Sequence, residues 1–99
     1  MSQVIEYPTK KLSSTLFAVE IATCAEILEV KLTNAEIIIS ALVERGNKNG
    51  FVKGRLFKIV STNEDIEKDD ILEYIGSIIV QDSTKYIFEV KLQTYNQFQ

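Results

Sequence analysis

The feature that most constrains this fold is a six-residue stretch that occurs twice. Residues 27–32 read Ile-Leu-Glu-Val-Lys-Leu, and residues 87–92 repeat them with Phe in place of Leu at the second position. Both copies alternate apolar and charged side chains, which is the period-two pattern of a strand with one buried face. The two copies therefore predict two strands, each with a central valine on its apolar face.

The order of charges in the repeat also predicts how such strands pair. If the copies run antiparallel with Val30 opposite Val90, every Glu faces a Lys, whereas a parallel pair in register sets like charges opposite each other. Cross-strand pairs of this kind differ by about 0.2 to 1 kcal/mol. The same complementarity holds for one copy paired with itself across a two-fold axis. Three interpretations stay open, namely a solvated strand face, an intramolecular strand pair, or a dimer edge. The dimer edge would use Glu29, Val30, Lys31, Glu89, Val90 and Lys91.

A first helix is predicted after the first copy of the repeat. Thr33 and Glu36 have the spacing of a capping box, in which each side chain satisfies a backbone amide at a helix start. The residues that follow are rich in apolar side chains, and Gly46 supplies a residue suited to the left-handed end of a helix. These signals predict a helix over 34–45.

A second, shorter helix is predicted by the same logic. Residues 61–64 read Ser-Thr-Asn-Glu, which again resembles a helix start, and Gly76 would close the helix. The acidic residues of 64–73 would complement the positive end of the helix dipole, and their spacing fits no calcium-binding loop. The expected helix covers 65–75.

The remaining segments predict further strands. Residues 51–60 indicate a strand, with Gly54 marking a bulge. Residues 77–81 and 86–92 favour a hairpin around a turn at 82–85. Residues 16–23 alternate as a strand does, although a helix starting at Ser13 or Ser14 remains open.

Together these elements predict an α+β fold of two layers. It would combine a mainly antiparallel sheet of four to five strands with two helices. A chain of 99 residues supports one hydrophobic core, so residues 1–99 are expected to form a single domain. Residues 1–12 and 93–99 are expected to be peripheral or flexible.

The composition argues against several classes of function. The chain has no histidine, which removes the commonest general base and metal ligand, and its one cysteine, Cys24, has no basic neighbour in sequence. We therefore expect no enzyme activity, no catalytic residues, no cofactor and no metal. A lone cysteine also excludes an internal disulfide and indicates a reducing compartment, and no apolar run is long enough to span a membrane. The expected location is the cytoplasm.

A basic segment is the best candidate for a binding site. From Arg45 to Lys58 the chain carries five positive residues and no acidic one, with glycines at 46, 50 and 54. Glycine amides approach anions closely, but the spacing matches no established phosphate-binding loop. Three interpretations remain open, namely a solvated surface, a site for a nucleotide or nucleic-acid backbone, or a docking site for an acidic protein. The candidate residues are Arg45, Lys48, Asn49, Gly50, Lys53 and Arg55.

Two functional hypotheses follow from these patterns. The first is a non-enzymatic, cytoplasmic binding or regulatory protein that associates with another protein or with itself, as an adaptor or inhibitor of viral or mobile-element type. The second is an anion-binding module that uses the basic segment 45–58 to hold a nucleotide or a nucleic-acid backbone. A net charge of −3 gives no overall attraction to nucleic acid or to an anionic membrane.

Overall fold

The structure, a computed structural model, describes residues 2–9, 15–44, 51–67 and 70–92. All regular secondary structure within these ranges is β, so the predicted α+β class is wrong. The strands are β1 (Ser2–Pro8), β2 (Leu16–Ala22), β3 (Glu26–Thr33), β4 (Glu36–Glu44), β5 (Val52–Ser61), β6 (Ile71–Val80) and β7 (Ser83–Leu92).

These strands form two antiparallel sheets. The smaller sheet has three strands in the order β1-β4-β3, and the larger has four in the order β2-β5-β7-β6. Each sheet turns one apolar face toward the core, which contains the fully buried Ile39 of β4 and Phe57 of β5. Phe17 of β2 stacks on Phe57, with ring centroids 5.6 Å apart. The core is thus built from both sheets, as in other two-layer β proteins.

The segment predicted as the first helix is strand β4 instead. Asn34 and Ala35 have φ angles of 53° and 64° and form the two-residue turn of a hairpin, in which Thr33 pairs with Glu36. This positive-φ pair is typical of the turns that match the twist of paired strands. Strand β4 lies between β1 and β3 and carries apolar side chains on both faces, for example Ile37 and Ile38, and this produced a stripe that resembled a buried helix.

The segment predicted as the second helix is also not helical. Glu64 Oε1 accepts a hydrogen bond from Ser61 N at 2.9 Å, so half of the capping interaction forms, but it closes a turn in which Asn63 has a φ of 69°. The chain from 64 to 67 has no regular structure, and β6 then begins at Ile71. Gly76 lies inside β6 rather than at a helix end.

Most of the predicted strands are confirmed. Both copies of the repeat lie in strands, β3 and β7, and strands also occupy the segments predicted at 16–23 and 51–60. The predicted hairpin is β6-β7, with a shorter turn at Gln81 and Asp82. Gly54 marks no bulge, since it pairs with Glu20 in an unbroken register. The register shifts lie in β3 and β6, and β1 is an edge strand that sequence reasoning did not identify.

Candidate functional site: an apolar sheet face and a split in the same sheet

The two copies of the repeat lie in different sheets. Within the described ranges β3 pairs with β4, and β7 pairs with β5 and β6. The intramolecular pairing of Val30 with Val90 is therefore wrong. Strand β7 lies in the interior of its sheet, and Glu89 pairs with both Phe57 and Glu73, so β7 is not an outer edge of the sheet.

Strand β3 is an edge of the smaller sheet, but its centre is covered. Val30 is buried in the core, close to Gly76 of β6. Glu29 is exposed, and Lys31 Nζ reaches across β4 to donate a hydrogen bond to Glu6 Oε2 at 2.6 Å. That bond and the charge of Glu6 raise the pKa of Lys31. The charged side chains of β3 are therefore solvated, and one of them bridges two strands on the surface.

The basic segment is only partly described. Arg45, Lys48, Asn49 and Gly50 lie outside the described residues. Lys53 and Arg55 lie in β5 and extend to the same side of the strand as Phe57, because side chains alternate. These two residues are brought close to Glu89 and Lys91 of β7, so the structure joins members of two separate candidate sets.

Arg55 and Glu89 form a two-pronged ion pair between β5 and β7. Arg55 Nε donates to Glu89 Oε2 at 2.6 Å, and Nη2 donates to Oε1 at 2.7 Å. The third donor, Nη1, bonds to the carbonyl oxygen of Ala25 at 2.7 Å. The side chain of Glu89 is only 6% exposed, and that of Arg55 only 14%. Such a geometry satisfies both charges while they are shielded from water.

The pKa shifts follow from this geometry. The hydrogen bond to Glu89 raises the pKa of Arg55, against the opposing effect of burial. Burial raises the pKa of Glu89, but the hydrogen bonds and charges of Arg55 and Lys91 outweigh it, and the pKa falls below its ordinary value. Lys91 Nζ lies 3.3 Å from Glu89 Oε1 and 3.3 Å from Glu73 Oε1. Glu89 is thus ionised at neutral pH, and it forms a short ion pair with Arg55 and a longer one with Lys91.

The ion pair stands where two neighbouring strands separate. Pairing between β5 and β7 runs from Ser61 opposite Lys85 to Phe57 opposite Glu89. Beyond this point β5 continues beside β2, and β7 continues beside β6, and the described residues of β5 and β7 no longer pair with each other. We call the resulting gap the split. Within it lies a pocket of about 470 Å³, lined by Thr23, Cys24, Ala25, Lys53, Gly54, Arg55, Leu56, Glu89, Val90 and Lys91.

The side of the larger sheet that faces away from the core is also apolar. Val60 shows this most directly, since it is buried yet is not part of the core cluster. The strand registers and side-chain alternation assign the following residues to this surface, which we call the outer face: Leu16, Ala18, Glu20, Leu56, Lys58, Val60, Leu72, Tyr74, Ser77, Ile79, Thr84, Tyr86, Phe88 and Val90.

Exposure of the large side chains varies across the outer face, with Val60 buried, several others partly buried and two well exposed to solvent. Ile79 is 67% exposed and Tyr74 is 55% exposed. Tyr74 also contacts Phe88 of the neighbouring strand edge to face, with ring centroids 5.7 Å apart. When one face of an antiparallel sheet is in contact only with water, every second residue of each strand, on that face, is usually polar. Here Glu20 and Lys58 are the two charged residues of the face.

Two features were not predicted from the sequence. One is the apolar character of the outer face, and the other is the position of Cys24 in a pocket. The signal for the outer face was present in 86–90, where Tyr86, Phe88 and Val90 are apolar at every second position, just as Ile87 is on the other side. Apolar side chains on both faces of an interior strand are a sign that both faces are covered. The sequence around Cys24 gave no indication of a site, because Lys53 and Lys91 are distant from it in sequence and come close to it only in the folded protein.

The chain matches no protein family model, and neither the curated proteins nor the solved structures include a significant match to it. Across the described ranges, no three acidic or cysteine side chains come together in a way that would hold a metal ion. The same ranges contain no helix with the length and apolar character needed to cross a bilayer.

Proposed function

We propose that this protein acts by association, as a non-enzymatic binding protein that forms a dimer through the outer face of its larger sheet. The observation that carries this proposal is a row of neighbouring side chains that crosses all four strands and contains one charge: Leu16, Lys58, Phe88 and Tyr74. Large contiguous apolar surfaces are uncommon on monomeric proteins and mark sites of protein contact.

The two charges on the outer face favour a second copy of this chain as the partner. Lys58 pairs with Leu16, and Glu20 pairs with Gly54, so the charges stand four residues apart along the strands, or about 13 Å. The row of Ala18 and Leu56 lies midway between them. A two-fold axis along that row sets Lys58 of each copy beside Glu20 of the other.

Such an interface is self-complementary, as a two-fold dimer requires. Apolar side chains around the axis would exclude water, and the two symmetric Lys-Glu contacts would set the register of one sheet on the other. An exposed free thiol such as that of Cys24 fits a compartment in which thiols are kept reduced, and we propose that this dimer acts in the cytoplasm.

Charge reversal tests the arrangement directly. The dissociation constant of the dimer is measured by light scattering and sedimentation for the wild type, Lys58→Glu, Glu20→Lys and the double variant. Each single change sets like charges together twice per dimer, at a cost of about 1 to 2 kcal/mol, and should weaken association about tenfold. The double variant restores opposite charges and should recover most of the affinity.

The geometry excludes an intramolecular explanation of such a rescue, because about 13 Å separates the two residues within one chain. Lys31→Glu is the matched control, since it reverses an exposed charge on the smaller sheet and should leave the dissociation constant unchanged. A wild-type protein that is monomeric at all concentrations would overturn the proposal. A dimer that both single variants retain at full affinity would exclude this face as the interface.

A further inference from the structure

We propose that the split between β5 and β7 is a binding site for a small organic phosphate. Its phosphate group would lie between Lys53 and Lys91, which extend from the two strands that separate there. Both lysines occupy odd-numbered positions, on the opposite side of the strands from the outer face. The phosphate position therefore lies on the opposite side of the sheet from the proposed dimer interface, and the two proposals are tested by different variants.

The charges of the pocket favour an anion. Its lining carries three cationic residues, Lys53, Arg55 and Lys91, against one anionic residue, Glu89. Glu89 is already matched by Arg55, whose three nitrogens each donate one hydrogen bond within the protein. The two lysines are thus the cations left to bind a ligand. Among the described residues, Lys53 has no ion pair, and Lys91 is shared between two carboxylates at 3.3 Å each.

The backbone of Gly54 adds a polar group to the split. Ile59 N donates to Thr15 O on the side of β2, so odd-numbered residues of β5 turn their main-chain groups toward β2. The alternation of a strand then directs the main-chain groups of Gly54 toward β7, where no strand of the described residues pairs with them. A Cβ placed on Gly54 meets no atom within 4 Å, which shows how open this position is.

The size and the remaining lining indicate an organic ligand rather than a bare ion. The pocket of about 470 Å³ lies within the range of about 300 to 1,000 Å³ typical of small-molecule sites. Leu56 and Val90, which extend toward the outer face, form the apolar part of the lining. A ligand with a phosphate at one end and an apolar or aromatic group at the other would satisfy both parts of the pocket.

Cys24 offers a direct readout of occupancy. It is the single cysteine of the chain, it is exposed, and it lines the pocket. The rate of its alkylation by the uncharged reagent iodoacetamide is followed by mass spectrometry on the full-length protein. The probes are phenyl phosphate, inorganic phosphate and phenol, all at constant ionic strength because salt screens such contacts.

Phenyl phosphate should slow alkylation at least about fivefold at saturation, at concentrations up to about 10 mM. Inorganic phosphate should bind more weakly, because it lacks the apolar group, and phenol should not protect the thiol. Lys53→Gln and Lys91→Gln should each raise the apparent Kd of phenyl phosphate about tenfold, since each removes a charge-assisted contact. Lys85→Gln is the control, because Lys85 bonds to Ser61 away from the pocket and should leave the Kd unchanged.

Three outcomes would overturn the proposal. The first is no protection of Cys24 by phenyl phosphate at the highest concentration. The second is protection of equal strength by phenol, which would show an apolar site without a role for phosphate. The third is an equal Kd in the wild type, Lys53→Gln and Lys91→Gln. Lys53 and Lys91 are both exposed, so these variants should fold, and a thermal unfolding curve for each confirms this.

Discussion

A side chain at Gly76 would collide with Val30, because a Cβ placed there lies 2.5 Å from Val30 Cγ1. Gly76 has a φ of 158° and follows an irregularity of β6 after Tyr74, whereas Val30 lies in β3 of the other sheet. Within the described ranges these two strands do not pair through their backbones. The absence of a side chain at Gly76 is therefore what lets the edges of the two sheets meet closely.

Gly76→Ala should consequently destabilise the protein by about 1 to 3 kcal/mol, the usual cost of overpacking a core. The free energy of unfolding from urea titration measures this. Gly54→Ala is the matched control, since its Cβ would meet nothing within 4 Å. Alanine is favoured over glycine in a strand, so Gly54→Ala should be neutral or stabilising by up to about 1 kcal/mol.

A double variant separates collision from other effects of Gly76→Ala. Val30→Ala removes the atom that the new Cβ would strike, so the two changes together should cost less than the sum of the single changes. If Gly76→Ala is as stable as the wild type, the close contact of the two sheets at this point is contradicted.

The strands with one solvated face could be predicted from sequence, and the interior strand β4 could not. In β3 the charges of Glu29 and Lys31 mark the alternation, but β4 is apolar at consecutive positions such as Ile37, Ile38 and Ile39. A period of two and a helical stripe both fit such a run. Thr33 and Asn34 suit a helix start and a turn equally well, because their side chains bond to nearby backbone in either structure.

The candidate site was predicted only in fragments, for a different physical reason. Arg55 and Glu89 are 34 residues apart in sequence. The chain contains several other residues of opposite charge with which each of them could form an ion pair. Which pair forms depends on how the sheets are ordered, and strand order is a property of the whole core. The repeat predicted strands correctly but not their neighbours, since identical strands can still belong to different sheets.

The hairpin turn between β3 and β4 contains a residue that its backbone disfavours. Ala35 has a φ of 64°, a conformation that costs most non-glycine residues of order 1 kcal/mol. Ala35→Gly should relieve this strain and stabilise the protein by about 0.5 to 1 kcal/mol, as measured by urea titration. Ala22→Gly, in the regular strand β2, should instead be destabilising. Equal losses at both positions would contradict the left-handed conformation of Ala35.

The ion pair of Arg55 and Glu89 should make stability depend on pH. Because the pKa of Glu89 is lowered from its ordinary value of 4.5, its contribution is complete above about pH 4.5 and is lost as the pH falls through the folded-state pKa. Glu89→Gln should flatten this acid limb. At pH 7 it should also destabilise the protein by about 2 to 4 kcal/mol, since it leaves the charge of Arg55 shielded from water without its partner.

Glu6→Gln distinguishes a buried ion pair from an exposed one in the same measurement. Glu6 and Lys31 are joined at 2.6 Å, as closely as Arg55 and Glu89, but their side chains are 52% and 43% exposed. Water and salt screen such a pair, so Glu6→Gln should leave the melting temperature and the acid limb unchanged within error. If it shifts both as much as Glu89→Gln does, distance rather than burial controls these ion pairs, and the role assigned to the shielded site of Glu89 is wrong.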